Sequence, residues 1–218
     1  LFGLIGAMPV ERALAAVLSD KSRFGQLLIC RTSVGGFVVC HRDDENAPGL
    51  EIFRKPEDAI EIARYDDAGN YRPLKTAPNL RRGWRLETVD LGELCRVLDY
   101  FCPGRLAMLA SWTENQLETT PLRETLDRQS GMYRVAAKIS DEQIDDVVGS
   151  FCRSDGGCLR TILWKRDAAG KIPSTKLPPE KFDPAYDQTG RGENVIPLLC
   201  QEICSLLLNE CRKAVKDE

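Results

Sequence analysis

The sequence predicts an α+β fold, with a small N-terminal hairpin-and-helix unit followed by a mainly helical unit. Strand-like apolar runs separated by turn residues are confined to the first quarter of the chain, and from Asp90 onward the apolar spacing becomes helical. With 218 residues and a hydrophobic fraction of 43%, the chain has the size and composition of one large globular domain or two small ones. The expected division is 1–88 for the α/β unit and 89–218 for the helical unit.

The elements follow in order. Residues 9–18 read as an amphipathic helix with Pro9 tolerated in its first turn. Residues 26–30 and 36–41 read as strands, and Ser33-Val34-Gly35-Gly36 between them suits a hairpin. Residues 50–53 form a third strand candidate. Residues 56–64 read as a helix with Glu57 and Asp58 in its first turn, where acidic groups favour the helix dipole. Gly69-Asn70 marks a turn. Residues 71–85 have little periodicity and carry Arg72, Lys75, Arg81, Arg82 and Arg85, a basic stretch in a chain of net charge −3. That stretch reads either as a solvated connector or as a site for an anionic ligand or partner. Residues 91–101 and 105–115 have helical apolar spacing, broken by Pro103-Gly104. Residues 140–151 read as a helix in which Ser140 and Gln143 form a capping box. Residues 159–164 are a short apolar run of undetermined type. Residues 168–193 are polar and rich in Pro and Gly, as a long loop would be. Residues 196–215 read as a strongly apolar closing helix.

Composition narrows the function. A mildly acidic chain is not a general nucleic-acid binder. No apolar run approaches the ~20 residues needed to cross a bilayer, and the leading Leu1 to Ala7 stretch is too short for a secretory signal and lacks a basic lead. A cytoplasmic location is expected. Because the chain opens at Leu1, it reads as a piece of something longer. It has nine cysteines, an odd number, and in a reducing compartment these are ligands or core residues rather than disulfides.

Four of the nine carry the chemistry. Cys152 and Cys158 bracket Arg153-Ser154-Asp155-Gly156-Gly157, a turn in which glycine permits tight bending and backbone N–H groups can face sulfur. Cys200 and Cys204 are spaced i, i+4 on the expected closing helix and would share a face. Cys200 would fall in the first turn after Pro197, where the helix N-terminus lowers a thiol pKa. Cys211 lies near the same face but ~10 Å further along the axis at ~1.5 Å per residue, and reads as core or spare. Four thiolates are the usual ligands of a [4Fe–4S] cluster, and an i, i+4 pair suits a cubane wider than one ion. Close Cys pairs also hold zinc, and buried free cysteine often serves only as a small hydrophobe. All three readings stay open on spacing alone. Cys30, Cys40, Cys95 and Cys102 lie in apolar strands or beside an apolar helix and read as core. His41 is the only histidine, so no two-histidine metal site is possible. No GxGxxG or Walker pattern occurs. Asp141, Glu142, Asp145 and Asp146 read as a solvated helix face.

Three further stretches carry a resemblance: residues 62–74 (IARYDDAGNYRPL), 80–84 (LRRGW) and 121–133 (PLRETLDRQSGMY), together with the cysteine pairs. From about Gln26 to Lys213 the chain resembles the C-terminal part of bacterial chelatase-like proteins. In these, CbiX-type sirohydrochlorin chelatase domains precede a small stabilising domain and a [4Fe–4S] region. The resemblance implies that Cys152, Cys158, Cys200 and Cys204 hold a [4Fe–4S] cluster; zinc is the alternative cofactor that the spacing leaves open. It implies a partner in an upstream chelatase domain of the same polypeptide and a role in tetrapyrrole (sirohaem or cobalamin) metabolism. CbiX-type chelatases handle metal with histidines, and only His41 is present, so this chain is not expected to be catalytic alone. Arg81, Arg82, Arg85, Arg123, Arg128 and Arg134 are candidate contacts for an acidic tetrapyrrole or the chelatase domain, on charge alone. The readings from other classes are a zinc-stabilised or metal-free interaction domain and a free-standing electron-transfer or redox-sensing protein.

Overall fold

The computed structural model describes residues 9–152, 157–165 and 194–217. The expected loop at 168–193 and residues 153–156 of the cysteine-bracketed turn lie outside them. The described residues divide into two compact units, one of 9–116 with 194–198 and one of 117–152, 157–165 and 199–217. The division falls at 116/117 rather than 88/89. Helical periodicity shows that a face must be buried, but not which element buries it.

The first unit is built on a six-stranded sheet in the order β4-β5-β3-β2-β1-β7. Its strands are β1 (Lys21–Phe24), β2 (Leu27–Arg31), β3 (Phe37–His41), β4 (Glu51–Phe53), β5 (Trp84–Thr88) and β7 (Asn194–Ile196). The expected hairpin is β2–β3, antiparallel with Leu27 opposite His41 and Arg31 opposite Phe37. β1 and β5 are additional strands. β5 lies across the end of the basic stretch, with Trp84, Leu86 and Thr88 buried in strict alternation. β5 passes so close to the start of β3 that a Cβ on Gly36 would meet Thr88 O at 2.4 Å. Helices α1 (Pro9–Val17), α2 (Asp58–Arg64), α3 (Leu91–Phe101) and α4 (Arg105–Thr113) complete the unit. Asp90 caps α3 by accepting the Glu93 N–H at 2.8 Å. α3 then packs on the sheet by stacking Phe101 on Trp84, ring centroids 5.0 Å apart.

The remainder of the basic stretch is held from within. Arg72 is only 2% exposed. It donates from Nε to Asn79 Oδ1 and from its terminal nitrogens to Ala63 O, Lys75 O and Ala77 O. This guanidinium gathers a segment that lacks periodic secondary structure.

The second unit contains α5 (Leu122–Asp127), a 3-10 segment (Gly131–Lys138), α6 (Asp141–Phe151), β6 (Thr161–Ile162), β8 (Leu199–Cys200) and α7 (Ser205–Lys216). Leu122, Leu126, Ile144, Val148, Trp164 and Leu207 form its core. The expected capping box is present, with Ser140 Oγ accepting the Gln143 N–H and Gln143 Oε1 accepting the Ser140 N–H. The expected closing helix 196–215 is shorter than its apolar run. It begins only at Ser205, and residues 194–196 and 199–200 are strands. Pro197 favours extended backbone at Ile196, and Leu199 and Cys200 pair with Thr161 and Ile162 of β6, so they are strand rather than helix. A buried strand and a buried helix give the same continuous apolar run. Among the described residues, no helix is long and apolar enough to cross a membrane.

Candidate metal centre

Each of the four cysteines is set by a local end of structure. Cys152 is the C-cap of α6, its N–H bonded to Val148 O at 2.9 Å, and it is buried. Cys158 is buried at the entry to β6. It follows Gly157, whose φ of +148° is a conformation side-chain-bearing residues rarely adopt. Cys200 ends β8, which runs parallel to β6 with Ile162 opposite Cys200. The Leu163 N–H donates to Cys200 O at 2.9 Å. Cys204 is the N-cap of α7, and its sulfur accepts the Leu207 N–H at 3.5 Å.

This placement corrects two expectations. Cys200 and Cys204 do not share a helix face, since Cys200 lies in a strand before the helix. The residue at the helix start is Cys204. The Cys200 thiol is accordingly pushed up by burial, not lowered by a helix dipole.

The four sulfurs nevertheless act on one another. Burial raises the Cys152 pKa, and the thiols of Cys158, Cys200, Cys204 and Cys211 each add to the rise. Cys158 and Cys204 likewise add to that of Cys200, while Arg160 and the Trp164 side chain oppose it. Arg160 reports the same neighbourhood from the other side. Burial pulls its pKa down, but Cys158, Cys200, Cys204 and a hydrogen bond with Cys200 outweigh burial and raise it. Trp164 is fully buried, and its indole N–H has no acceptor in hydrogen-bond geometry. Neutral thiols of this kind must release protons to bind a metal. Among the described residues, no three His, Cys, Asp or Glu side chains converge on a single ion.

This donor set suits a sulfur-ligated group. Four thiols lie in a largely buried environment, and a half-buried cation and a buried N–H without an acceptor stand beside them. Charge on sulfur would satisfy both. Sequence reasoning did not identify Arg160, although its position two residues after Cys158 was available as a signal. Cys211, read as core or spare, lies in the same core as Cys152, Cys200 and Cys204, with burial raising its pKa to about 12.

The other candidates lie elsewhere. In the first unit, Cys40 and Cys102 are buried and Cys30 and Cys95 half-buried. Burial drives Cys40 and Cys95 up to about 12. His41 is fully buried, with Nδ1 accepting the Asp43 N–H and Nε2 3.1 Å from Gln26 Nε2. Arg81 pairs with Glu51, Arg82 with Asp43 and Asp67, and Arg85 with Glu87. In the second unit, Arg123 pairs with Asp141 and Arg128 with Glu124, and Arg134 is exposed on the 3-10 segment. The six arginines thus divide between the units, and five have carboxylate neighbours that offset their charge.

Comparison with known proteins falls on the same division. Residues 11–116 match the family model of the DR2241 stabilising domain. Residues 114–213, which include all four candidate cysteines, match that of a 4Fe-4S iron-sulfur cluster binding domain. The chain resembles a stabilising domain joined to an iron–sulfur domain. A solved structure, DR2241 from Deinococcus radiodurans, aligns with a TM-score of 0.72 and 26% identity over 96% of this chain. It is described as a multi-domain protein with structural similarity to chelatases and two additional novel domains. The chain spans 41% of that protein's length. No curated protein sequence matches it.

Proposed function

We propose that Cys152, Cys158, Cys200 and Cys204 hold a [4Fe–4S] cluster, and that the chain is the accessory region of a sirohydrochlorin cobalto- or ferrochelatase-like protein. The observation that carries this reading is that the segment matching an iron–sulfur domain places Cys152, Cys158 and Cys200 in burial, with Cys204 half-buried at the start of α7. When bound, such a cluster supplies one-electron transfer or a rigid sulfur-linked crosslink. This chain's residues contribute the four sulfurs, a half-buried cation in Arg160, and the apolar cover of Trp164, Leu207 and Leu208. Chelatase chemistry belongs to a domain elsewhere in the same polypeptide, as the multi-domain organisation of DR2241 supports. The tetrapyrrole substrate and cytoplasmic location belong to the same proposal.

The test is anaerobic purification, a visible spectrum, and assays of iron, sulfide and zinc on one sample. The expected result is broad absorbance near ~400 nm with about four irons and four sulfides per chain. Serine at any of the four positions should abolish full occupancy, whereas serine at Cys30 or Cys95 should not. One zinc per chain and no colour would overturn the cluster and leave a structural zinc domain.

A further inference from the structure

We infer that Trp164 and Arg160 are hydrogen-bond donors to the Cys200 sulfur and set the reduction potential of the proposed cluster. The inference rests on the cluster reading above and assigns roles to two residues that are not ligands.

The geometry starts from the strand pair. β6 and β8 run in parallel register, Ile162 opposite Cys200, and Leu163 N–H donates to Cys200 O. The backbone of 161–163 is thereby bound alongside Leu199 and Cys200, which puts Arg160 and Trp164 on either side of the residue aligned with Cys200. As a thiol, Cys200 has an acceptor of its own, since its Sγ lies 3.2 Å from Glu202 O and donates there. A ligating sulfur has lost that proton and can only accept. Two donors are in position for that state. Trp164 is fully buried with its indole N–H lacking an acceptor in hydrogen-bond geometry, and Arg160 stands two residues before Ile162, the residue aligned with Cys200. Buried donors without acceptors are rare in folded proteins. The Trp164 N–H is therefore explained by a negative sulfur better than by the neutral thiol. The ring supplies apolar cover, and the N–H supplies the electrostatic effect.

Hydrogen bonds and positive charge at the sulfurs stabilise the more negative, reduced cluster and raise its potential. The test uses the full 218-residue chain, loaded anaerobically with iron and sulfide, in redox titrations followed by EPR. Site-specific replacement of Trp164 by benzothienylalanine keeps the ring shape and removes only the N–H. The expected result is full iron content with the reduced-to-oxidised ratio at fixed poise down about tenfold, which is ~59 mV for a one-electron couple. Arg160→Gln should lower the ratio at least as far, and Arg160→Lys should recover most of it. Full iron content with unchanged potentials would overturn the inference. Iron lost in Arg160→Gln and not regained in Arg160→Lys would overturn the part assigned to Arg160. A wild-type chain that takes up no iron would overturn the cluster reading itself, and that result appears before any variant is compared.

Discussion

Replacing Arg72 by methionine should destabilise the first unit by about 3 kcal/mol. The guanidinium is 2% exposed and donates to Asn79 Oδ1 (2.9 Å), Ala63 O (3.0 Å), Lys75 O (3.1 Å) and Ala77 O (3.0 Å). Ala63 O keeps a donor in Lys75 Nζ at 3.2 Å, so three acceptors lose the guanidinium without that replacement. At about 1.5–3 kcal/mol for each hydrogen bond to a charged group, the gross loss is about 4.5–9 kcal/mol. Burial opposes the charge, as the lowered pKa of Arg72 shows, and removing a buried ion returns several kcal/mol. Net losses of about 3 kcal/mol are large against a typical domain stability of about 5–15 kcal/mol. Urea unfolding followed by near-UV circular dichroism of the Trp84–Phe101 stack measures this directly, with hydrogen exchange at the β3 amides as a second readout. A loss under about 1 kcal/mol would refute the reasoning. It would mean that water reaches these carbonyls and that residues 71–85 are the solvated connector their charge pattern suggests.

Other outcomes follow from the same structure. Ser140→Ala removes one half of the capping box and should cost about 1 kcal/mol, read as a lower urea midpoint with unchanged slope. Gly36→Ala places a methyl 2.4 Å from Thr88 O and should cost about 1–3 kcal/mol, because the opposing atom is backbone and cannot swing aside. His41 has its pKa lowered from 6.5, chiefly by burial. The unfolded chain therefore binds the proton more readily, and stability is lost as pH falls below about 6.5 and is flat above it. Urea midpoints at pH 5.5 and 7.5 check this. An identical pH dependence in His41→Gln would assign the effect to other groups.

Legibility in the sequence tracked local physics. Ser140 and Gln143 marked a helix start because a capping box is written in four consecutive residues. The β2–β3 hairpin was readable because alternation and turn residues adjoin. Cys200 was misplaced because the run Val195 to Leu199 is apolar throughout, and its lone break, Pro197, is as compatible with a helix start as with a strand end. The partner of α3 was not written in its own spacing, nor was the internal use of Arg72, because both depend on residues far along the chain or on loop carbonyls with no side-chain signature. The four thiols could be selected by number and pairing. Arg160 had a weak signal in its place two residues after Cys158, but the register of β6 and β8 was needed to set it and the Trp164 N–H near Cys200.

Strand β7 lies parallel to β1, with Ser22 opposite Asn194 and Phe24 opposite Ile196, although about 170 residues of chain separate them. During synthesis, the outer edge of β1 therefore leaves the ribosome long before the strand that will cover it. Until then the nascent first unit offers an open line of backbone donors and acceptors, and it is completed only after α5 and α6 have emerged. A product cut at the 116/117 junction would retain that open edge. It should self-associate where the complete chain does not, and separate expression of the stabilising half would call for residues 194–198 as well.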